Sequence, residues 1–284
     1  MPRPEPPPEP PPERRPTPVP PPSFRTPPPT APKRGSDLSS ASTAVLRTEA
    51  RLMAREPGIL FWVVLFPSLL LTILGLIPTF RETDPGLGGR RVIDLYVPVS
   101  VLLALIMAGI QAMPPVLTGY RERGILRRMS TTPVRPASLL TAQLVLHGLT
   151  ALASAVLVIV VGRLAFGVRL PEQPAGYVVA LVLTAAGALA LGATVCALSR
   201  TQKIAGAIGS AVFFPAMFTA GVWVPVQVMP DTLRTVVEFT PFGAASAALD
   251  QAMRGDWPGW AHLGVTALWA VLLTGAAARW FRWQ

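Results

Sequence analysis

Six stretches of this chain are almost entirely apolar and each runs close to the length that spans a bilayer, which leaves few folds open. They extend from Ile59 to Pro78, Leu95 to Leu117, Leu139 to Val161, Gly176 to Leu198, Ile204 to Val224 and Ala261 to Ala278. A helix needs roughly 20 apolar residues to cross the hydrocarbon, where every backbone polar group must be satisfied within the segment. Only 14% of the residues are charged, against roughly 25% in soluble domains. The sequence therefore predicts an all-α membrane protein with six transmembrane helices.

The placement of charge supports this. A formal net charge of +10 could point to nucleic acid, but no basic patch is interleaved with aromatics on a soluble fold, so no nucleic-acid partner is expected. With the N-terminus taken as cytoplasmic, the inside segments carry 18 Lys and Arg and the outside segments seven. The proline tail supplies six of the inside residues, and without them the sign of the difference is the same. The positive-inside rule then places both termini in the cytoplasm of a multi-pass protein. High Ala, Arg and Pro content fits a bacterial genome rich in GC, hence a bacterial cell (inner) membrane.

The N-terminal region divides in two. Residues 1–37 are dominated by proline, which blocks helix and ladder hydrogen bonds, and they read as a disordered tail. No apolar core of a signal peptide occurs there. A proline-binding partner is one use for such a tail and simple solvation is another. Residues 38–57 follow a helical period, with Leu46, Ala50 and Met53 on one face and Arg47, Arg51 and Arg55 on another. This predicts an amphipathic helix lying along the membrane surface, after which Pro57 and Gly58 turn the chain into the bilayer. Residues 58–284 form the six-span domain.

The spans lack the groups that drive self-sufficient transport or catalysis. Pumps and ion-coupled carriers place carboxylates or lysines inside their helices, and none lies well inside these six. Gln111, Gln143 and His147 are the main polar exceptions. His147 reads as a proton acceptor or substrate contact, or else as a hydrogen bond to a neighbouring helix. Two histidines and one cysteine, Cys196, give no basis for a metal site or disulfide. No GxxxxGK[ST] phosphate loop, GxSxG or HExxH motif occurs, so the chain itself reads as neither an ATPase nor an enzyme.

The stretch between the second and third spans, residues 119–145, is the most informative. Ile125, Leu126 and Met129 make an apolar strip among Arg121, Glu122, Arg123, Arg127 and Arg128, and Pro133 and Pro136 turn the chain back. A plain positive-inside loop explains the arginines but not Glu122, the strip or the prolines. Residues 121–140 (RERGILRRMSTTPVRPASLL) resemble the corresponding loop of the ABC-2 permease family, which includes the daunorubicin-type drug-resistance exporters. AREPGILFWVVLFPSLLLTILG (54–75) and FTAGVWVPVQVMPDTLRTVVEFTPFGAASAALDQAMRG (218–255) resemble that family's first-span and pre-final-span regions, in the same order. The proline tail is not a family feature, and Ala220 stands where many members have serine.

The resemblance implies a connecting helix before the first span and a cytoplasmic coupling helix at 119–132 that inserts into a separate ATPase subunit. It further implies a re-entrant outer segment, including Pro225, Met229, Pro230, Leu233 and Pro241, which closes the exit. ATP and Mg would be bound by the partner ATPase and no cofactor by this chain. Two permease chains, identical or different, would move substrate outward between them. Glu122 with Arg121 and Arg123 is the expected ion-paired contact to the ATPase, with headgroup binding by the arginines as the alternative. Spans two and five would line the pathway through Met107, Met113, Phe213, Phe214, Met217 and Phe218, a surface suited to an amphipathic or hydrophobic substrate, drug-like or lipid-like. A membrane scaffold recruiting partners through the proline tail is the competing reading.

Overall fold

The computed structural model describes residues 36–125, 128 and 136–280. Helix α1 is Ser36–Ala54 and α2 is Pro57–Gly75. A short hairpin of β1 (Thr83–Asp84) and β2 (Arg90–Arg91) follows, pairing Thr83 with Arg91 and Asp84 with Arg90. Then come α3 (Val92–Glu122), α4 (Pro136–Phe166), α5 (Pro174–Leu198), α6 (Gln202–Thr219), α7 (Asp231–Glu238), α8 (Pro241–Met253) and α9 (Trp260–Trp280). The protein is an all-α membrane protein. Among the described residues five helices, α2, α3, α4, α5 and α9, are long and apolar enough to cross a membrane. Helix α6 has 18 residues and opens on Gln202 and Lys203. It stops short of the expected Val224, because Gly221 turns the chain out at φ 87°.

Helix α3 is the axis of the bundle. Ile93 and every residue from Leu95 to Ile106 are buried, and α2, α4, α5, α6 and α8 all pack on it. Where α3 meets α5, Gly109 and Gly192 bring the two backbones together, since a Cβ at Gly192 would overlap the Gly109 carbonyl oxygen. Small residues allow such an approach where no hydrophobic effect drives helices together. The opposite faces of the peripheral helices expose Ile73, Leu149, Val156, Val182, Val271 and Leu272, a surface suited to lipid rather than to water.

Two wide turns interrupt the α-helical pattern: Phe61–Leu65 in α2 and Met107–Ala112 in α3 are π-helical. The sequence supplies the cause. Pro67 follows the first turn, and Pro114 and Pro115 follow the second. A proline has no N–H for the carbonyl four residues back and its ring clashes with that carbonyl. A one-residue widening just upstream moves the carbonyls aside without breaking the helix. Side chains bond to carbonyls near both turns: Ser154 Oγ donates to Val64 O at 3.2 Å, and Gln202 Nε2 donates to Pro115 O at 2.9 Å.

Candidate functional site

The site is built around the last turn of α3. Arg121 extends its guanidinium to the C-terminus of α5, where Nη1 donates to Cys196 O at 2.9 Å and also to Ser199 O. The neighbouring Glu122 reaches the N-terminus of α6, and its Oε1 accepts from Gln202 N at 3.0 Å. Thr201 Oγ1 accepts from Ile204 N at 3.2 Å and completes that cap. A cation thus sits on the negative end of one helix and an anion on the positive end of the next, both favourable placements. Gln202 is also wedged against Gly119, where a Cβ would overlap its amide. Two consecutive residues therefore bracket the α5–α6 turn.

A second set of contacts ties α3 to α1 and α4. Tyr120 Oη donates to Glu49 Oε2 at 2.8 Å and Gln143 Nε2 donates to the same oxygen at 2.6 Å. Glu49 is buried, while Arg47 and Arg51 on the other faces of α1, and Arg55 just past its end, are exposed. The amphipathic helix expected to lie along the membrane surface is thus also fastened to the bundle through a carboxylate that its charge pattern did not single out. The Glu49→Ala variant strands one buried and one part-buried donor and is expected to lower unfolding free energy by about 2 kcal/mol. Thermal unfolding in detergent tests this, and Glu49→Gln, which keeps an acceptor oxygen, should recover at least half of the loss.

Beyond Glu122, Arg123 Nε folds back onto Gly119 O at 3.1 Å and its guanidinium lies 5.5 Å from the Tyr120 ring centroid. Ile125 is half-buried and Arg128 is exposed. Leu126, Arg127 and Met129 lie outside the described residues. The expected ion-paired set is thereby redistributed: Arg121 and Glu122 are engaged inside the chain, as caps of two helices.

The expected pathway residues separate. Met107 and Phe213 line a groove of about 500 Å³ between α2, α3 and α6. Phe214 is exposed, edge-on to Phe213 at 5.8 Å between ring centroids. Met217 and Phe218 are half-buried, Met217 packing on the main core. Met113 is fully buried and packed with Leu117, Ala193, Cys196 and Ala277, at the contact of α3 with α5. His147 is also fully buried, and neither ring nitrogen has a hydrogen-bond partner among the described residues. The expected bond to a neighbouring helix is not made.

At the far end of the bundle Val226, Met229 and Val237 form a small cluster with Phe218, while Pro230 and Leu233 are exposed and Pro225 is buried. Pro241 opens α8, which is buried along most of its length against α5, α9 and α3. The single charged residue of α8, Asp250, is buried there and accepts from Arg90 Nη1 at 2.7 Å.

A family model described as the ABC-2 type transporter matches residues 41–253, from α1 through α8. The chain belongs to the ABC-2 type transporter family. It is a membrane permease component of an ABC transporter, a family whose ATPase is normally a separate subunit. No individual curated protein matches the permease significantly.

Proposed function

We propose that this permease is the transmembrane half of an ATP-driven exporter in a bacterial cell membrane, moving an amphipathic drug-like or lipid-like substrate outward. In this reading α6 is the sixth span, both termini and the α1 end are cytoplasmic, and the segment following α3 is the coupling helix. The proline tail is accessory. Two permease chains would work with two ATPase subunits, which bind the ATP and Mg.

One observation carries the reading. The end of α3 that leads into the coupling segment is bonded to α1, the end of α5 and the start of α6, and through Glu49 of α1 it is linked to α4. A push on that segment would reach all four at their cytoplasmic ends, and α3 and α6 are the helices whose Met107 and Phe213 share a groove. A rigid element with two positions is what ATP-driven closure requires.

Purification of the tagged chain from its native membrane tests this. A P-loop ATPase is expected in near-equal amount, and Arg128→Glu, placed beyond the helix caps, is expected to reduce its retention at least tenfold. Absence of any ATPase from the wild-type preparation in mild detergent overturns the proposal and turns attention to the proline-rich tail. Glu122 is a poor site for that experiment, because its reversal also uncaps α6.

A further inference from the structure

The groove beside Met107 and Phe213 has features that bulk hydrophobic packing does not explain. It lies where the two π-helical turns of α2 and α3 touch, and such turns recur at functional sites because they redirect side chains out of the regular helix. Its wall carries Trp62, half exposed, and Gln111, midway along α3. The Gln111 side chain makes no hydrogen bond to any described residue. An amide left unpaired at that depth in a membrane is costly unless a ligand or water supplies partners.

The rim of the groove is Glu56, exposed and in no ion pair among the described residues. A second cavity of about 310 Å³ shares Glu56 and Ile59 with the first and adds Glu49, Tyr120 and Arg123. The two form one trough from the α1 end of the bundle to the level of Gln111. Of its three charged residues two are carboxylates, and Arg123 stands at the Tyr120 side, away from Trp62. On a cytoplasmic face that is otherwise strongly basic, this trough is a local negative channel. An anion approaching it would meet Glu56 and then Glu49. A cation would be held at Glu56 and could lay its apolar body against Trp62, whose ring face favours positive charge.

Resting on the exporter reading, we propose that this trough is the substrate-accepting site and that it takes amphipathic organic cations. Glu56 attracts the charge, Trp62, Met107 and Phe213 hold the apolar body, and Gln111 pairs with a polar group on it. A groove of about 500 Å³ matches the size of cavities that enclose drug-sized ligands.

The test uses the full-length chain in nanodiscs of zwitterionic lipid, with binding to empty nanodiscs subtracted. Tetraphenylphosphonium and tetraphenylborate have similar shape and opposite charge. The permease is expected to bind the phosphonium at least tenfold tighter, and Glu56→Gln should bring the two ions to near parity. Glu56 is exposed, so this substitution leaves the fold intact. The Gln111→Leu variant should weaken rhodamine 6G, which carries N–H donors, while leaving tetraphenylphosphonium unchanged.

Equal wild-type affinity for the two ions, or a phosphonium affinity unaltered in Glu56→Gln, overturns the assignment. The binding assay needs neither nucleotide nor partner. A preparation that retains its ATPase yet fails to discriminate the ions refutes the cation site alone and leaves the exporter reading standing.

Discussion

Alanine in place of Asp250 is expected to lower the unfolding free energy of the permease by about 3–5 kcal/mol, because it strands a partly buried cation. Asp250 is 3% exposed. Its Oδ1 accepts from Arg90 Nη1 at 2.7 Å, and Oδ2 lies 3.5 Å from Arg254 Nε. The two arginines do not contribute equally. The Arg254 side chain is 46% exposed and exchanges its carboxylate for water at small cost, whereas that of Arg90 is 27% exposed and held in the β-hairpin. The hairpin joins α2 to α3 and Asp250 lies in α8, so the pair fastens the loop between two helices to a helix more than a hundred residues later. Asp250→Asn keeps the shape and one acceptor oxygen and should lose roughly half as much. A double-mutant cycle with Arg90→Ala should show coupling of about 2 kcal/mol. Unfolding by denaturant in mixed micelles reads all five proteins. A change within about 0.5 kcal/mol for Asp250→Ala, the range of ordinary surface substitutions, would show that the hairpin is held by other contacts.

The apolar pattern identified the helices well and their ends poorly, for a physical reason. Hydropathy records where the chain crosses hydrocarbon, not where the helix stops. Helix α4 runs for 31 residues from Pro136 to Phe166, well past the apolar block at 139–161, because nothing near its ends breaks helical geometry until Gly167 takes a φ of 63°. Likewise α3 continues through Thr118, Tyr120 and Arg121, which leave the apolar block but keep helical hydrogen bonding. Block 204–224 errs in the other direction, since Val222 and Val224 are apolar yet lie beyond the Gly221 turn. The π-helical turns had a readable signal in Pro67 and the Pro114–Pro115 pair, each in the middle of an apolar run.

The site was legible as a position but not as a set of contacts. Residues 121–123 were marked by their charge pattern, and they do stand at a junction of helices. What their sequence neighbourhood could not reveal is that Arg121 and Glu122 bond to the ends of two other helices, because their partners Cys196 and Gln202 lie 75 and 80 residues away. Glu49 illustrates the same limit. Amid arginines in RTEARLMARE it resembles any solvated acid, and its burial depends on Tyr120 and Gln143 converging from 71 and 94 residues further on. Charge periodicity along one helix carries no information about such convergence.

A large loss of stability is expected from a substitution that adds only a methyl group, Gly192→Ala. A Cβ there would overlap the carbonyl oxygen of Gly109 and lie 3.0 Å from Met113 Cε; one at Gly109 would in turn overlap Ala188 O. The obstructing atoms at both glycines are chiefly backbone, so relief requires moving a helix and not a side chain. The helix to be moved is α3 or α5. Neither can shift alone, since α3 is buried by five neighbours and α5 ends under the Arg121 cap only a turn or two beyond Gly192. Overpacking of an ordinary core costs about 1–3 kcal/mol because side chains give way. Here that route is closed, and the loss should exceed about 4 kcal/mol, beyond the usual range for point mutants. Gly192→Leu should leave no monodisperse permease on size-exclusion chromatography. Gly264→Ala is the control: no atom lies within 4 Å of the point where its methyl group would stand, and alanine favours the helix by up to about 1 kcal/mol over glycine. It should therefore unfold at or slightly above the wild-type temperature. If Gly192→Ala matches Gly264→Ala in thermal unfolding, the α3–α5 backbones stand further apart than described. The Arg121 bracket would then no longer rest on a fixed separation of those two helices, and the coupling route through it would need another anchor.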